Sequence, residues 1–294
     1  MKEKIVIGLW PLSGDFGKVS IKELEKTMNF CLSSGINTFD LAPNYGKGLV
    51  EDKIGEIFQG KTKLIINTKF GNTREGEKKF SVSSLRKSIE TSLENMKLSN
   101  VNSLFLHNPR SEIKEFDQIE NLMSQLKREN IINYSGISVA KNFSYRNLPD
   151  FDEIQFDCNL LFLEDLRKYK YKYKKSYARS PLASGILSGK ISKSSKFPSE
   201  DHRSEWLFGE KLESLMNQVE VIKKIKGEYK LPSLSRKFLL ENQEIDKVIF
   251  GVKSPDHVKD VLKDLNSKKL DKSLVKNLLD LEKNNFGLKN IIKF

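Results

Sequence analysis

The chain has 294 residues, of which 38% are hydrophobic and 31% charged, a composition typical of a globular protein with room for one large α/β domain or two smaller ones. No apolar run approaches the roughly 18 residues of a membrane helix, and the first ten residues lack the apolar stretch of a signal peptide. The two cysteines, Cys31 and Cys158, stand in no disulfide or metal-binding pattern. We therefore expect a cytoplasmic protein with no membrane partner and no metal site.

The balance of 51 basic and 39 acidic residues gives a formal net charge of +12. Such a charge occurs in nucleic-acid-binding proteins, but here the lysines are spread over nearly all the predicted helices. The densest basic segment, RKYKYKYKKSY at 167–177, fits either a groove for single-stranded nucleic acid or a surface helix that leads into a strand. We favour the surface helix and expect no nucleic-acid partner.

Eight short apolar segments alternate with amphipathic segments along the whole chain. Near-continuous apolar runs are typical of parallel strands that helices cover on both faces. Eight such units predict an α/β fold, a single (β/α)8 TIM barrel over residues 1–294, with a doubly wound sheet as the alternative. The predicted strands are 4–10, 36–40, 63–70, 101–107, 133–139, 153–157, 176–180 and 247–252.

The helical segments carry apolar residues at three- and four-residue spacing. Ser20 followed by Glu23 predicts a capping box at the start of the first helix, and a second clear helix starts at Ser81. Further helices are predicted over 118–129, 208–226 and 232–243.

Two segments depart from this regular alternation. Residues 185–205 form a long polar loop after the seventh strand, and loops of this length in compact domains are often lids or binding loops. Residues 270–294 form a C-terminal extension that contains one additional helix.

Polar side chains stand at the carboxyl ends of the predicted strands, where TIM barrels carry their function. Taken singly, Asp40 can be a helix cap, Lys69 an exposed lysine and His107 a structural imidazole. Ionisable groups gathered at one rim are costly to stability, so we interpret them as a site. These strand-end residues are Asp40, Lys69, His107, Ser138, Gln155, Arg179 and Lys253.

The charges at this rim predict a particular chemistry. A buried Asp40 needs a cation, and Lys69 can supply it. Tyr45 lies about one turn past Asp40, so its hydroxyl can approach the lysine, whose charge is expected to lower the pKa of the phenol from about 10. His107 is expected to orient or polarise a carbonyl oxygen. Such a site protonates an oxygen as a hydride arrives at carbon.

Five segments resemble the aldo-keto reductase superfamily, in order over about residues 5–265. The resemblance implies a barrel that reduces carbonyl groups with a tetrad of Asp, Tyr, Lys and His. Carried onto this chain, Tyr45 is the general acid, Lys69 and Asp40 tune its pKa, and His107 orients the carbonyl. The segments are FDLAPNYGKGLVEDKIGE (39–56), INTKFG (66–71), LFLHNP (104–109), RSPLASGILSGK (179–190) and VIFGVKSPDHVKDVL (248–262).

The same resemblance implies NADP(H), held extended across the barrel mouth. No GxGxxG motif follows a strand, so this prediction rests on the family alone. A cation at the 2′-phosphate would distinguish NADPH from NADH by charge, with a solvated loop lysine as the alternative. The residues so assigned are Ser138 and Gln155 for the carboxamide, Leu182 and Ser184 for the pyrophosphate, and Lys253 and Ser254 for the 2′-phosphate.

The chain departs from the family pattern at several positions. We expect the N-terminal β-hairpin that closes the barrel bottom in the family to be absent. Val139 replaces an asparagine that contacts the carboxamide, and Arg179 replaces a tyrosine that stacks on the nicotinamide, although a guanidinium can also stack on a ring. In the segment that grips adenine, Asp260 keeps the acid and Val261 replaces an amide. We expect intact catalysis and altered cofactor affinity.

These observations predict NADPH-dependent reduction of an aldehyde or ketone, a small-molecule carbonyl substrate. A basic rim with Arg110, Arg179 and Arg203 favours a hydrophilic or phosphorylated substrate, such as a sugar or a nucleotide-linked keto-sugar, over a steroid. For Trp10, a core position is the alternative to a pocket position. The residues expected to shape the substrate pocket are Trp10, Pro11, Asn44, Asn108 and the loop 185–205.

Two other functions fit part of the sequence. A nicotinamide-binding regulatory subunit that senses redox state would retain its cofactor with little turnover, but the complete tetrad argues against it. A phosphate-handling barrel with lyase or isomerase chemistry would need an anion site after strands seven and eight. The sequence leaves the oligomeric state open.

Overall fold

A computed structural model describes residues 2–59, 63–109, 113–140 and 150–294. Eight parallel strands close into a barrel in which each strand pairs with the next and the eighth pairs with the first. This is the predicted (β/α)8 TIM barrel. The strands are β1 (Ile5–Gly8), β2 (Thr38–Asp40), β3 (Ile65–Phe70), β4 (Val101–His107), β5 (Ile132–Ser138), β6 (Glu153–Asp157), β7 (Lys175–Arg179) and β8 (Lys247–Gly251).

The α-helices pack around the outside of the barrel. Their buried faces carry the apolar residues whose spacing predicted them, and the observed bounds of every predicted strand and of the helices predicted over 118–129, 208–226 and 232–243 differ by at most two residues. The helices are α1 (Ile21–Ser33), α2 (Leu49–Phe58), α3 (Val82–Met96), α4 (Phe116–Arg128), α5 (Glu164–Tyr169), α6 (Gly209–Ile225), α7 (Leu231–Glu241), α8 (Pro255–Leu265) and α9 (Lys272–Lys283).

Serine caps define where two of these helices begin. The Ser20 side chain accepts a hydrogen bond from the Glu23 backbone N–H, which is the first half of the predicted capping box. Ser81 and Ser84 form a complete capping box, because each serine side chain accepts a hydrogen bond from the backbone N–H of the other. These bonds satisfy N–H groups that have no partner within the first helical turn.

The interior of the barrel is polar at the amino ends of the strands. The Glu153 carboxylate is fully buried and accepts hydrogen bonds from Ser103 at 2.6 Å, Lys175 at 3.0 Å and Tyr177 at 3.1 Å. This end of a TIM barrel serves stability, whereas the carboxyl ends of the strands form the functional mouth. A small apolar cluster inside the barrel, separate from the main core, contains Val6, Phe105, Tyr177 and Ile249.

The segments outside the repeats also take defined forms. Before β1 the structure shows a single 3-10 turn, Lys2–Lys4. The loop after β7 contains two 3-10 helices, Ala183–Ser188 and His202–Glu205. The additional C-terminal helix is α9, and the terminal Phe294 is buried, with its ring 6.1 Å from that of Trp206.

The basic segment at 167–177 is the end of α5 followed by the start of β7, as interpreted from the sequence. Within the described part of the chain, no helix is both long and apolar enough to cross a membrane. The same residues include no group of three His, Cys, Asp or Glu side chains placed to hold a metal ion.

Candidate active site

The ends of β2 and β3 place Asp40 and Lys69 side by side in the barrel mouth. Lys69 Nζ lies 2.5 Å from Asp40 Oδ1, and the two side chains are only 2% and 5% exposed. The ammonium also donates to the Leu41 carbonyl at 2.8 Å and to the Tyr45 hydroxyl at 3.2 Å. A buried charge is tolerated when it is paired and hydrogen-bonded, and here the Asp40 carboxylate and the Lys69 ammonium neutralise each other.

Tyr45 reaches Lys69 because the chain turns sharply after β2. A 3-10 turn over Tyr45–Gly48 follows, in which Gly46 and Gly48 have φ of 58° and 93°. A Cβ on Gly46 would lie 2.6 Å from the Ser13 carbonyl oxygen, so only glycine fits there. The tight turn holds the buried tyrosine ring in place with its hydroxyl at the ammonium.

The net shift of the Tyr45 pKa is the reverse of the sequence prediction. Burial raises the pKa of the phenol, and the opposing charge of Lys69 does not fully offset it. The sequence analysis considered the ammonium but not the loss of water around the ring, which disfavours phenolate. Tyr45 is therefore protonated at neutral pH, with a proton that it can donate. The pKa of Lys69 is raised: burial opposes this, but Asp40 and Tyr45 outweigh it.

His107, at the end of β4, is held as a neutral imidazole. Burial lowers its pKa well below the ordinary value, and the charges of Lys69, Arg179 and Lys78 lower it further. Its ring lies 6.2 Å from that of Tyr45, and its Nδ1 has no hydrogen-bond partner among the described residues. A neutral imidazole can orient a carbonyl oxygen beside Tyr45 by a hydrogen bond, which leaves proton transfer to the phenol.

Ser138 and Gln155 lie beside His107 on the neighbouring strands. The register pairs His107 with Ser138 and Ser138 with Gln155, and the latter two are fully buried. Gln155 Nε2 donates to Asp40 Oδ2 at 2.6 Å, a contact across the barrel that the sequence analysis did not foresee. Ser138 Oγ and Gln155 Oε1 have no partner among the described residues. These two buried polar atoms are therefore free to form hydrogen bonds with a ligand.

Arg179, at the end of β7, completes the rim. Its Nη2 donates to the Val139 carbonyl at 2.6 Å and to Asn108 Oδ1 at 3.3 Å, and it lies 3.4 Å from Asp157 Oδ2. The guanidinium thus bonds to the backbone at the position where Val139 lacks an amide side chain. Asp157 is a residue that the sequence analysis missed, although its place at the end of the sixth strand matches that of Asp40 at the end of the second.

Comparison with known proteins identifies the family of this chain. The model of the Aldo/keto reductase family matches residues 4–283. The chain belongs to the aldo/keto reductase family. It is 30% identical over 272 residues to L-galactose dehydrogenase of Arabidopsis thaliana, covering 86% of this chain and 81% of that protein. It is 23% identical over 271 residues to the aldo-keto reductase YhdN of Bacillus subtilis (strain 168), and this match covers 86% of this chain and 82% of that protein.

Solved structures share the fold of this aldo-keto reductase. The glycerol dehydrogenase AKR11B4 from Gluconobacter oxydans superposes with a TM-score of 0.78 at 22% identity, covering 99% of this chain and 94% of that one. The aldo-keto reductase AKR11C1 from Bacillus halodurans, in its holo form, superposes with a TM-score of 0.75 at 19% sequence identity. The match covers 95% of this chain and 91% of that one. Family membership makes the protein an oxidoreductase that interconverts carbonyl and alcohol groups with a nicotinamide cofactor.

In this aldo-keto reductase, Lys253 and the neutral ring of His257 lie near the cations Arg203 and Lys190, where β8 leads into α8. Burial and the nearby Arg203 lower the pKa of Lys253, and burial and the nearby Lys190 lower that of His257. Lys253 Nζ donates to the Phe16 carbonyl, and its backbone N–H donates to His257 Nδ1 at 3.2 Å. The sequence analysis missed His257, although it lies four residues after Lys253 in the segment assigned to the cofactor.

The other residues assigned to the cofactor line the same side of the mouth. Ser254 is the N-cap residue of α8, so the positive end of the helix dipole lies beside it. Leu182 and Ser184 lie at the start of the first 3-10 helix after β7, where Ser184 has a φ of 54°. Asp260 lies on α8 with its side chain exposed, and its charge opposes the lowering of the His257 pKa.

Trp10 is half-buried and packs against the edge of the hydrophobic core, beside Tyr45. Its ring stacks on Tyr45 with centroids 5.8 Å apart and lies 5.2 Å from His202, while its Nε1 donates to Asp15 at 2.7 Å. His202 belongs to the loop 185–205 that the sequence assigned to the pocket, whereas Asp15 was not foreseen, because a turn after β1 meets a loop almost 190 residues later in the chain. The His202 backbone N–H donates to the Asp15 carbonyl at 2.8 Å and joins the two loops.

The remaining predicted pocket residues border the mouth. Asn44 precedes the Tyr45 turn, and its Oδ1 is buried without a partner in the described structure. Asn108 follows His107 with a φ of 50° and contacts Arg179. Arg203 is held by Asp201 on the loop that crosses the mouth. Arg110 lies outside the described residues.

Proposed function

We propose that this protein reduces an aldehyde or ketone to an alcohol with NADPH, with Tyr45 as the proton donor. One observation carries the proposal: a buried ammonium, Lys69, bonds at once to the Asp40 carboxylate and to the Tyr45 hydroxyl, beside the neutral His107. A phenol held against an ammonium in a water-poor site is suited to protonating an oxygen that gains negative charge.

The residues divide the work of the reaction. His107 and the Tyr45 hydroxyl hold the carbonyl oxygen between them, so that it is polarised before it reacts. When bound, the reduced nicotinamide supplies a hydride to the carbonyl carbon. As charge develops on the oxygen, the Tyr45 proton moves to it, and the adjacent Lys69 ammonium stabilises the phenolate that remains. Asp40 keeps Lys69 charged and in place.

The walls of the mouth fit a nicotinamide. A carboxamide has an N–H₂ donor and a C=O acceptor, and the buried Gln155 Oε1 and Ser138 Oγ are an acceptor and a hydroxyl that lack partners within the described structure. A bound carboxamide would satisfy both atoms, which otherwise reduce stability.

A preference for NADPH over NADH is supported by the cations near the start of α8. Lys253 lies near Arg203, whose charge lowers its pKa, and the cation Lys190 lies near His257, whose own lowered pKa leaves it a neutral imidazole. Like charges that repel each other in the free protein are neutralised by a phosphate, and the 2′-phosphate distinguishes the two cofactors. Binding would require Lys253 to leave the Phe16 carbonyl.

A hydroxyl-rich substrate fits the polar mouth. Asn44, Asn108 and His202 offer hydrogen bonds around Tyr45, and Trp10 supplies one flat apolar wall. The names of two similar proteins refer to L-galactose and to glycerol, which are both polyhydroxylated. We therefore propose a sugar carbonyl as the substrate class, with a nucleotide-linked keto-sugar as the larger variant.

The cofactor is tested by titrating NADPH and NADH against protein fluorescence, in wild type and in Lys253→Ala. We expect NADPH to bind at least tenfold more tightly than NADH, and the difference to shrink in the variant. Lys259→Ala, an exposed lysine one turn further along α8, is the matched control and should leave the difference unchanged. Failure of both nucleotides to bind at micromolar concentration would overturn the proposal.

Turnover is tested by oxidation of NADPH with a panel of sugar aldehydes, simple aldehydes and apolar ketones. Tyr45→Phe should bind NADPH normally and lose activity by about 10²–10⁴-fold, because it removes only the transferred proton. Faster reduction of apolar ketones than of any sugar would contradict the substrate class. Tight NADPH binding without turnover of any carbonyl would instead support a redox-sensing subunit.

A further inference from the structure

Arg179 brings a cation to the rim of the mouth, next to the strands that carry His107 and Ser138. Its Nη2 donates to the Val139 carbonyl and to Asn108 Oδ1, the residues that directly follow Ser138 and His107 in the chain. The side chain is 21% exposed, so most of the guanidinium is shielded from water. Its charge is therefore screened less than that of a surface arginine.

The charge of Arg179 is offset less completely than that of Lys69. Lys69 lies 2.5 Å from Asp40, whereas the nearest acid to Arg179, Asp157, lies 3.4 Å away and also accepts a hydrogen bond from Ser180. The field of Arg179 extends into the mouth, because it lowers the pKa of both Tyr45 and His107. At His107, the charges that shift the pKa are all cations. The field at His107 is therefore that of a positive charge.

The nicotinamide ring must lie within this field if the proposed function holds. The carbonyl oxygen lies between Tyr45 and His107, and the carbon that accepts hydride must come within about 3–3.5 Å of the ring carbon that donates it. The reduced ring is neutral, and the oxidised ring carries one positive charge. A fixed cation at the rim of the same mouth repels only the oxidised ring.

We propose that Arg179 makes the site discriminate between the two redox forms of its cofactor, so that it holds the reduced form and releases the oxidised form. This inference rests on the proposed function. The overall equilibrium of the reaction is unaffected, since it depends on the reactants alone. What changes is occupancy: in a mixed pool the site is filled with NADPH, oxidised cofactor is a weak product inhibitor, and the enzyme works as a reductase.

The test is the ratio of two dissociation constants, that of NADP⁺ over that of NADPH, measured by fluorescence titration or calorimetry without any carbonyl substrate. Both forms carry the same phosphates and adenine, so contacts to those groups cancel in the ratio. We expect Arg179→Gln to lower the ratio about tenfold, chiefly through tighter NADP⁺ binding. Arg179→Lys keeps the charge and should keep most of the ratio. Arg86→Gln, on the exposed face of α3, is the matched control.

A second variant changes the ratio in the opposite direction. Asp157→Asn removes the acid that partly offsets Arg179. It is made in an Asp165→Asn background, because Asp165 also acts on Arg179 and would ionise more readily without Asp157, and the ratio should rise above that of Asp165→Asn alone. The pair NAD⁺ and NADH should show the same fold-changes as the phosphorylated pair, because the charge difference lies in the ring. Circular dichroism and thermal melting verify that each variant is folded.

The outcomes separate this inference from the proposed function. An equal ratio in wild type and Arg179→Gln overturns the inference alone, and so does an equal weakening of both redox forms, which would make Arg179 only a contact. If wild type binds neither form, the proposed function fails and the inference fails with it. Opposite shifts in Arg179→Gln and Asp157→Asn support the inference.

Discussion

Lys69 pairs with the buried Asp40 carboxylate and bonds to the Tyr45 hydroxyl, so it affects both the stability of the mouth and the proposed proton donor. Its ammonium bonds to Asp40, Leu41 and Tyr45, and only 2% of its side chain is exposed. An ion pair at this depth contributes little net stability when intact, since both charges have lost their water. Removing one partner is different, because it leaves the other charge buried and unpaired.

Lys69→Met is therefore expected to destabilise the protein by about 3–5 kcal/mol and to abolish reduction. The double variant Asp40→Asn with Lys69→Met should recover most of that stability, because no charge is left unpaired, while activity stays absent. Urea denaturation of wild type, both single variants and the double variant measures the coupling. Additive losses in stability would show that the two residues do not act as a pair.

At the scale of the secondary-structure elements, the site is built at the carboxyl ends of the strands and in the turns that follow them. Several strands contribute a residue at or near their carboxyl end to the mouth, and the segments after β4 and β7 hold unusual backbone angles: Asn108, Ser180, Ala183 and Ser184 have φ between 48° and 61°. Non-glycine residues adopt this region at a cost, which concentrates at functional sites. The turn that carries Tyr45 uses glycine for the same purpose.

Gly46→Ala tests how firmly that turn sets Tyr45. Its Cβ would meet the Ser13 carbonyl oxygen at 2.6 Å, so the turn must shift and move the Tyr45 hydroxyl from Lys69. We expect a loss of about 10²-fold in kcat with a fall in stability of roughly 1–2 kcal/mol. Steady-state kinetics and thermal melting measure the two effects.

Gly227→Ala supplies the matched control. Gly227 has φ of 57°, against 58° for Gly46, and a Cβ there meets no atom within 4 Å. Both variants impose the same backbone strain, and only one displaces the catalytic turn. Equal losses of kcat in the two variants would attribute the effect to general destabilisation rather than to the position of Tyr45.

At the scale of the whole molecule, a buried acid behind the mouth makes stability depend on pH. Asp165 on α5 is 4% exposed, and its Oδ2 has no hydrogen-bond partner among the described residues. Burial, together with the charge of Asp157, raises the pKa of the Asp165 carboxyl to about 7. In the unfolded chain this pKa is about 4. The folded protein thus binds this proton more tightly than the unfolded chain does.

It follows that the contribution of Asp165 to stability is present below about pH 4 and is lost as the pH rises through about 7. Asp165→Asn keeps the shape and cannot ionise. At pH 8 the variant should be more stable than wild type by on the order of 1–3 kcal/mol, and the difference should close towards pH 4. Urea denaturation across this range measures it, and a difference independent of pH would contradict the assignment.

The sequence by itself determined the barrel and the residues of the mouth. Apolar runs of strand length and helical spacing are local patterns, and strand ends gather at one rim in any (β/α)8 barrel. Asp40, Tyr45, Lys69 and His107 were found in this way and through the resemblance of their motifs. The structure places these four side chains together around the Lys69 ammonium.

Only the tertiary structure decided the properties that depend on burial and on distant partners. Gln155 bonds to Asp40 across 115 positions of the chain, and Lys253 to Phe16 across 237, contacts that no local spacing encodes. The net rise in the pKa of Tyr45 has the same origin, because desolvation depends on every group that surrounds the ring. The sequence shows which ionisable groups are present, whereas the fold determines how far each one is removed from water.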